Sequence, residues 1–274
     1  MHAWIDGRLL PDAATAALPV TDHGVTVGDG VFETMKVVEG EPFALGPHLA
    51  RLQRSAAGIG LEGVDEAVVR QGIKEVLAAE HLVRGRLRVT VTGGPGPMGS
   101  GRGDATPTVI VVADPVTASP EETAIVTVPW VRNERGALTG LKTTSYAENV
   151  VALAEARRHG ATEAIFANTV GDLCEGTGSN IFYVLDGELR TPTLASGCLA
   201  GVSRGLVLEW YAAREVDEPL ELVQQQASEV FLVSTMRDVQ AVTRWDARDL
   251  PHGPVTQEAR EVWRRREPEL VGEI

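Results

Sequence analysis

The chain has 274 residues, 43% of them hydrophobic, and a formal net charge of −13, which is enough for one large domain or two ordinary ones. The acidic balance, with no Lys/Arg cluster, argues against a nucleic-acid surface, which must displace counterions with many basic groups, and no apolar run reaches the ~18 residues that span a bilayer. Two cysteines, Cys174 and Cys198, and six scattered histidines show neither CxxC nor HxxxH spacing, so neither a disulfide framework nor a metal site is expected.

The opening residues lack the basic and apolar regions of a secretory signal, so a soluble, cytoplasmic protein is expected. Residues 2–10 alternate around Asp6–Gly7 as a hairpin does. The glycine-punctuated stretch from Val20 leads into a β-branched strand over Val31–Val38. Thr34 and Lys36 share one face of it by the period of two, and Lys36 is expected to be exposed. Leu45–Gly58 has helical spacing with Pro47 at a tolerated early position; Leu49, Leu52 and Ala56 form its apolar stripe, and Arg51 and Arg54 lie on other faces. Val64–Ala79 reads as an amphipathic helix that leaves Lys74 toward solvent. Strands at Leu87–Thr92 and Thr108–Ala113 flank a Gly/Pro-rich loop, residues 93–105, read as a flexible lid or a long hairpin connection. It lacks the GK[ST] ending of a nucleotide-binding loop.

Residues 1–114 are therefore read as an N-terminal α/β domain, 115–122 (PVTASPEE) as a linker, and 123–274 as a C-terminal domain. The second half carries strands at Ala124–Pro129, Glu163–Ala167, Asn180–Leu185, Glu229–Ser234 and Val239–Val242. Its helices are expected at Ala147–His159, Ser203–Arg214 and from Val255 onward. Without a regular βαβ alternation, the fold class is α+β.

Lysine is scarce: Lys36, Lys74 and Lys142 are the three in the chain, so covalent amine chemistry must choose among them. Lys142 follows Gly140–Leu141 and precedes the small polar run Thr143–Ser145, just before a helix. Glu175 lies in CEGTGSNIF, where the small residues that follow it allow close approach to a flat ligand. A carbonyl-bearing cofactor needs such a pair: an amine for its aldehyde and a carboxylate for its ring nitrogen.

These stretches resemble the fold-type IV, or class IV aminotransferase, group of pyridoxal-phosphate (PLP) enzymes. The group includes branched-chain aminotransferases, D-amino-acid aminotransferases and 4-amino-4-deoxychorismate lyases. The resemblance covers nearly the whole chain, through GDGVFETMKVVEG (28–40), HLARLQRSA (48–56), the Lys142 segment with ENVVALAEARRHGATEAIF, EGTGSNIF (175–182), GCLAGVSR (197–204) and EVFLVSTMRDVQAV (229–242). It implies a two-domain fold-type IV architecture with a smaller N-terminal and a larger C-terminal domain, PLP as cofactor, and a homodimer. It assigns the cofactor aldehyde (as an aldimine) and proton transfer to Lys142, the ring nitrogen to Glu175, the phosphate to Arg51, Gly201, Val202 and Thr235 with Ser234 beside them, and the ring face to Leu199. Tyr146 is placed near the substrate.

The same resemblance bears on the reaction. Thr34 stands where the lyases carry a threonine near the reacting centre, whereas Ser234 stands where they carry asparagine and follows the transaminase pattern. Gly93 and Met98 occupy places where arginines grip the substrate carboxylate in lyases and D-amino-acid transaminases, and Ser100 stands where the latter have histidine. Arg102 and Arg237 are the candidate replacements, since an anionic substrate in a dry pocket needs a cation. The expected activity is that of a 4-amino-4-deoxychorismate lyase releasing pyruvate and 4-aminobenzoate, with transamination of D- or branched-chain amino acids as the alternative.

Overall fold

The structure is a computed structural model describing residues 1–272. It divides into two compact units: Met1–Thr117 with Leu141–Ser145 and the residues from Glu269 on, and Ala118–Gly140 with Tyr146–Pro268.

In the first unit β1 (Ala3–Ile5) and β2 (Arg8–Leu10) form the expected hairpin, and a single turn, α1 (His23–Thr26), precedes β3 (Gly30–Val38). After β4 (Glu41–Pro42) come α2 (Leu45–Gly58), α3 (Glu66–Glu80), β5 (Arg84–Thr92) and β6 (Thr108–Pro115). The six strands form one sheet in the order β2-β1-β6-β5-β3-β4. Met35 and Val37 of β3 and Val89 and Val91 of β5 share a core with Leu49 and Leu52 of α2 and Ile73 and Val76 of α3, which is the burial that makes an amphipathic helix worth forming. One expectation fails: Lys36 is fully buried, its ammonium 5.2 Å from the Phe43 ring centroid. The alternation held, but both faces of β3 are covered, so the period of two did not separate core from solvent.

The second unit runs β7 (Glu122–Arg132), α4 (Ala147–Arg158), β8 (Glu163–Asn168), β9 (Leu173–Gly176), β10 (Asn180–Leu185), β11 (Glu188–Thr191), α5 (Val202–Trp210), β12 (Arg214–Glu215), α6 (Leu220–Gln226), β13 (Glu229–Ser234), β14 (Asp238–Trp245), β15 (Arg248–Asp249) and α7 (Pro254–Arg266). Its sheet has the order β12-β11-β10-β13-β14-β7-β8-β9, with β15 on β14. β7 runs parallel to both β14 and β8, and β8 to β9 is antiparallel. Alternate residues serve two cores: Ile125 and Ile165 join Leu220 and Val223 of α6, whereas Val126, Val128, Ala164 and Phe166 join Ala152 and Ala156 of α4. The helix expected over Ser203–Arg214 ends at Trp210, because Arg214 pairs in β12 with Arg190 of β11.

Candidate active site

In the first unit the Lys142 segment is laid against the start of β3. Phe32 N–H donates to Lys142 O at 3.0 Å and Thr144 N–H to Gly30 O at 2.9 Å, around a Val31–Thr143 bridge. Ser55 of α2 accepts the Lys142 N–H at 3.1 Å. The peptide of Lys142 is thereby fixed on both sides, and its Nζ lies 4.4 Å from the Phe32 ring centroid. The same ring carries the Arg88 guanidinium at 3.8 Å, within the range of cation–π attraction. Arg88 stands opposite Thr34 in the β3–β5 register. Thr34, Phe32, Arg88 and the Lys142 amine thus share one neighbourhood on this sheet.

Arg51 is positioned by a buried network. Its Nε and Nη2 donate to the two oxygens of Glu33 at 2.7 and 2.8 Å, and His48 Nδ1 meets Glu33 Oε2 at 2.7 Å. Burial alone would raise the Glu33 pKa, but the hydrogen bonds and charges of Arg51 and His48 outweigh it and hold the carboxyl at about 2. His48 is shifted down from its ordinary value, first by burial and then by the charges of Arg51 and Lys142, against the pull of Glu33. His48 and Arg51 thus converge on an ionised Glu33, and the bidentate pair fixes the plane of the Arg51 guanidinium.

The loop at residues 93–105 is tied down at its base. His23 N–H donates to Gly94 O at 2.9 Å, Gly93 N–H to Asp29 O at 3.0 Å and Gly96 N–H to Thr21 O at 3.2 Å. Arg102 grips both oxygens of Asp29 at 2.6 Å and donates to Ile59 O at 3.0 Å and to Gly60 O. Arg102, a substrate candidate from the sequence, is thus held at the loop anchor.

In the second unit Glu175 lies opposite Phe166 in the β8–β9 register. Its Oε2 accepts the Leu199 N–H at 2.9 Å, and its Oε1 is 3.5 Å from Arg132 Nε. Arg132 stacks over Phe166 at 4.1 Å and donates to Asn149, so the counter-charge of Glu175 is itself held in place. Asn180 Nδ2 donates to Leu199 O at 2.9 Å. A Cβ at Gly201 would collide with Asn180 Oδ1, so this approach requires glycine. Gly201 is the N-cap of α5 and brings no side-chain cap. Two residues on, Ser203 Oγ is buried with no hydrogen-bond partner among the described residues. Uncapped helix N–H groups beside an orphaned buried hydroxyl suit an anion such as a phosphate. Ser234 and Thr235 open the turn after β13, where Arg237 N–H donates to Ser234 O and Oγ at 3.2 Å. The Arg237 guanidinium, the other substrate candidate, donates to Gln240 and to Thr162 O at 3.0 Å and sits 3.5 Å from Glu163. Tyr146 is the N-cap of α4.

Sequence reasoning missed Glu33, His48, Arg88, Arg132 and Ser203. Arg88 and Arg132 gain their places from register and stacking, which no spacing announces. Ser203 carried a signal, a hydroxyl just inside a helix that starts with glycine.

The model of the amino-transferase class IV family matches residues 30–245. The chain belongs to this family. Class IV aminotransferases are PLP enzymes; taken by itself, the second unit offers the orphaned Ser203 hydroxyl and the open end of α5, which suit a phosphate, and the first unit offers the primary amine of Lys142. A putative branched-chain-amino-acid aminotransferase of Methanocaldococcus jannaschii is 30% identical over 95% of this chain and 94% of its own. A bifunctional aminodeoxychorismate lyase / D-amino acid transaminase of Mycobacterium tuberculosis is 28% identical over 94% and 95%. Among solved structures, the branched-chain aminotransferase of Thermoproteus uzoniensis with norvaline matches with a TM-score of 0.91 at 28% identity, covering 99% of this chain and 98% of that one. Among the described residues no helix is long and apolar enough to cross a membrane, and no three His, Cys, Asp or Glu side chains could hold a metal ion.

Proposed function

We propose that this class IV enzyme is a 4-amino-4-deoxychorismate lyase of folate precursor synthesis, releasing pyruvate and 4-aminobenzoate. The observation that carries the reading is the place of Thr34: on β3, opposite Arg88, two residues from the Phe32 ring that bears the Lys142 amine. When bound, PLP supplies the electron sink that makes the carbon carrying the substrate amino group acidic. Lys142 would hold the cofactor aldehyde, and its amine would carry the proton at that carbon. Thr34 gives a hydrogen bond to the ether oxygen of the departing enolpyruvyl group. Arg88 binds a substrate carboxylate, with Arg102 and Arg237 as the further candidate cations. Arg51, Gly201, Val202, Ser203, Ser234 and Thr235 hold the phosphate, Glu175 the ring nitrogen and Leu199 the ring face, with Tyr146 beside the substrate.

The second reading is transamination of D- or branched-chain amino acids. It is favoured by the same Arg88, which next to the Lys142 amine suits an α-carboxylate equally well. Thr34→Val separates the two. Loss of the hydroxyl should cut aromatic product formation by ~10²-fold, the lower range for a lost proton-transfer partner, while any amino-acid half-reaction is kept; equal retention of both would remove Thr34 from the mechanism.

In this reading the enzyme works in the cytoplasm as a homodimer. The outward-facing Val150 and Val151 of α4, 66% and 53% exposed, are the kind of apolar surface a second copy covers. Sedimentation at the mass of one chain would contradict that part.

A further inference from the structure

We propose that Glu163 is a positioning residue for the cofactor-binding turns of the second unit. The proposal rests on the reading of Glu175 and Thr235 as cofactor ligands. Glu163 lies on β8, with its side chain only 2% exposed. A carboxylate removed from water to this degree is tolerated only when donors surround it, and besides its strand neighbour Ala164 its donors come from the turn that follows Glu175 and from Arg237. Its Oε1 accepts Thr177 N–H at 2.9 Å, Ala164 N–H at 3.1 Å and the Thr177 hydroxyl. Its Oε2 accepts the Ser179 hydroxyl at 2.9 Å and faces Arg237 Nη2 at 3.5 Å. A methyl group at Gly176 would come within 3.0 Å of Glu163 Cδ, so the turn from Gly176 to Ser179 is wrapped directly around this carboxylate.

The two residues that bound the turn do the remaining work. Glu175 and Asn180 grip the two sides of one peptide neighbourhood, the Leu199 N–H and the Leu199 carbonyl, each at 2.9 Å, and Leu199 leads into Gly201 and α5. On the other side, Arg237 carries the link to the Ser234–Thr235 turn through its own N–H on Ser234. One buried charge therefore sets the turn between Glu175 and Asn180, through it the Leu199 peptide ahead of α5, and through Arg237 the Ser234–Thr235 turn at once.

Glu163→Gln keeps the shape and one carbonyl oxygen for Thr177, but sets an amide NH₂ against Arg237 and the Ser179 hydroxyl. Cofactor-free protein is titrated with PLP by tryptophan fluorescence, with the ³¹P resonance of the bound phosphate and the thermal midpoint of the cofactor-free protein measured alongside. The expected result is a loss of PLP affinity of ~10-fold or more, the scale of one hydrogen bond to a charged group, with a displaced ³¹P resonance. Arg237→Gln should change both in the same direction, and the double variant should lose less than the two single losses combined. It also carries the test if Glu163→Gln does not fold. A shift in thermal midpoint with affinity and resonance unchanged would overturn the proposal and leave Glu163 a fold residue. Thr235→Ala and Glu175→Gln are the controls. If they perturb binding or the cofactor spectrum and Glu163→Gln does not, the positioning role alone fails. If none of them does, the reading of the site fails with it.

Discussion

At the scale of single residues, the Glu33–His48–Arg51 network makes the first unit sensitive to acid. The Glu33 carboxyl sits at about 2 in the folded chain against an ordinary 4.5, so its stabilising contribution, about 3 kcal/mol, is complete above pH 4.5 and is lost as the pH falls toward 2. His48 is held below its ordinary 6.5, so the unfolded chain binds a proton before the folded one does and stability also falls as the pH drops through 6.5. Both groups act in the same direction. Thermal midpoints measured from pH 8 to pH 3 should decline below pH 6.5 and more steeply below pH 4.5, and Glu33→Gln should flatten the steeper part; an unchanged lower limb would remove Glu33 as its source. At this scale the sequence was legible where a motif fixes local structure: Arg51 lies on the expected helix α2, and Glu175 just before the expected strand β10. Partners are not legible from residue type: Asp29 faces Arg102 and Glu163 faces Arg237, and Arg88 gained its position from strand register.

Elements show the same division between pattern and context. α2, β10 and β13 match the expected Leu45–Gly58, Asn180–Leu185 and Glu229–Ser234 to the residue, since each carries enough periods for its hydrophobic pattern to be read. β9, β11 and α6 were missed because four to seven residues span too little of a pattern. Helix ends depend on partners far away in sequence, and α7 is the clearest case. Gly253 provides no side-chain cap, and the buried Glu229 of β13 accepts the Val255 and Thr256 N–H groups at 3.3 and 2.8 Å and the Thr256 hydroxyl at 2.8 Å. A Cβ at Gly253 would collide with that carboxylate. Glu229→Ala should therefore leave buried donors unsatisfied and cost about 2 kcal/mol, read as a lower urea midpoint at unchanged slope. No loss would show that water replaces the carboxylate.

For the molecule as a whole, the class and α+β architecture follow from motifs distributed over most of the chain. The interleaving of the units does not, because Leu141–Ser145 joins the first unit through hydrogen bonds to β3 and Ser55 that a linear reading cannot see. Motifs shared by the whole class specify the cofactor, whereas in the proposed reading the choice of reaction rests on the neighbourhood of Thr34 and Arg88. The most direct test supplies the purified, PLP-loaded enzyme with enzymatically generated aminodeoxychorismate and, in parallel, with D- and branched-chain amino acids. The account predicts pyruvate and 4-aminobenzoate in equal amounts over many turnovers. Amino-acid half-reactions alone, with conversion of the cofactor to its pyridoxamine form and no aromatic product, would contradict it.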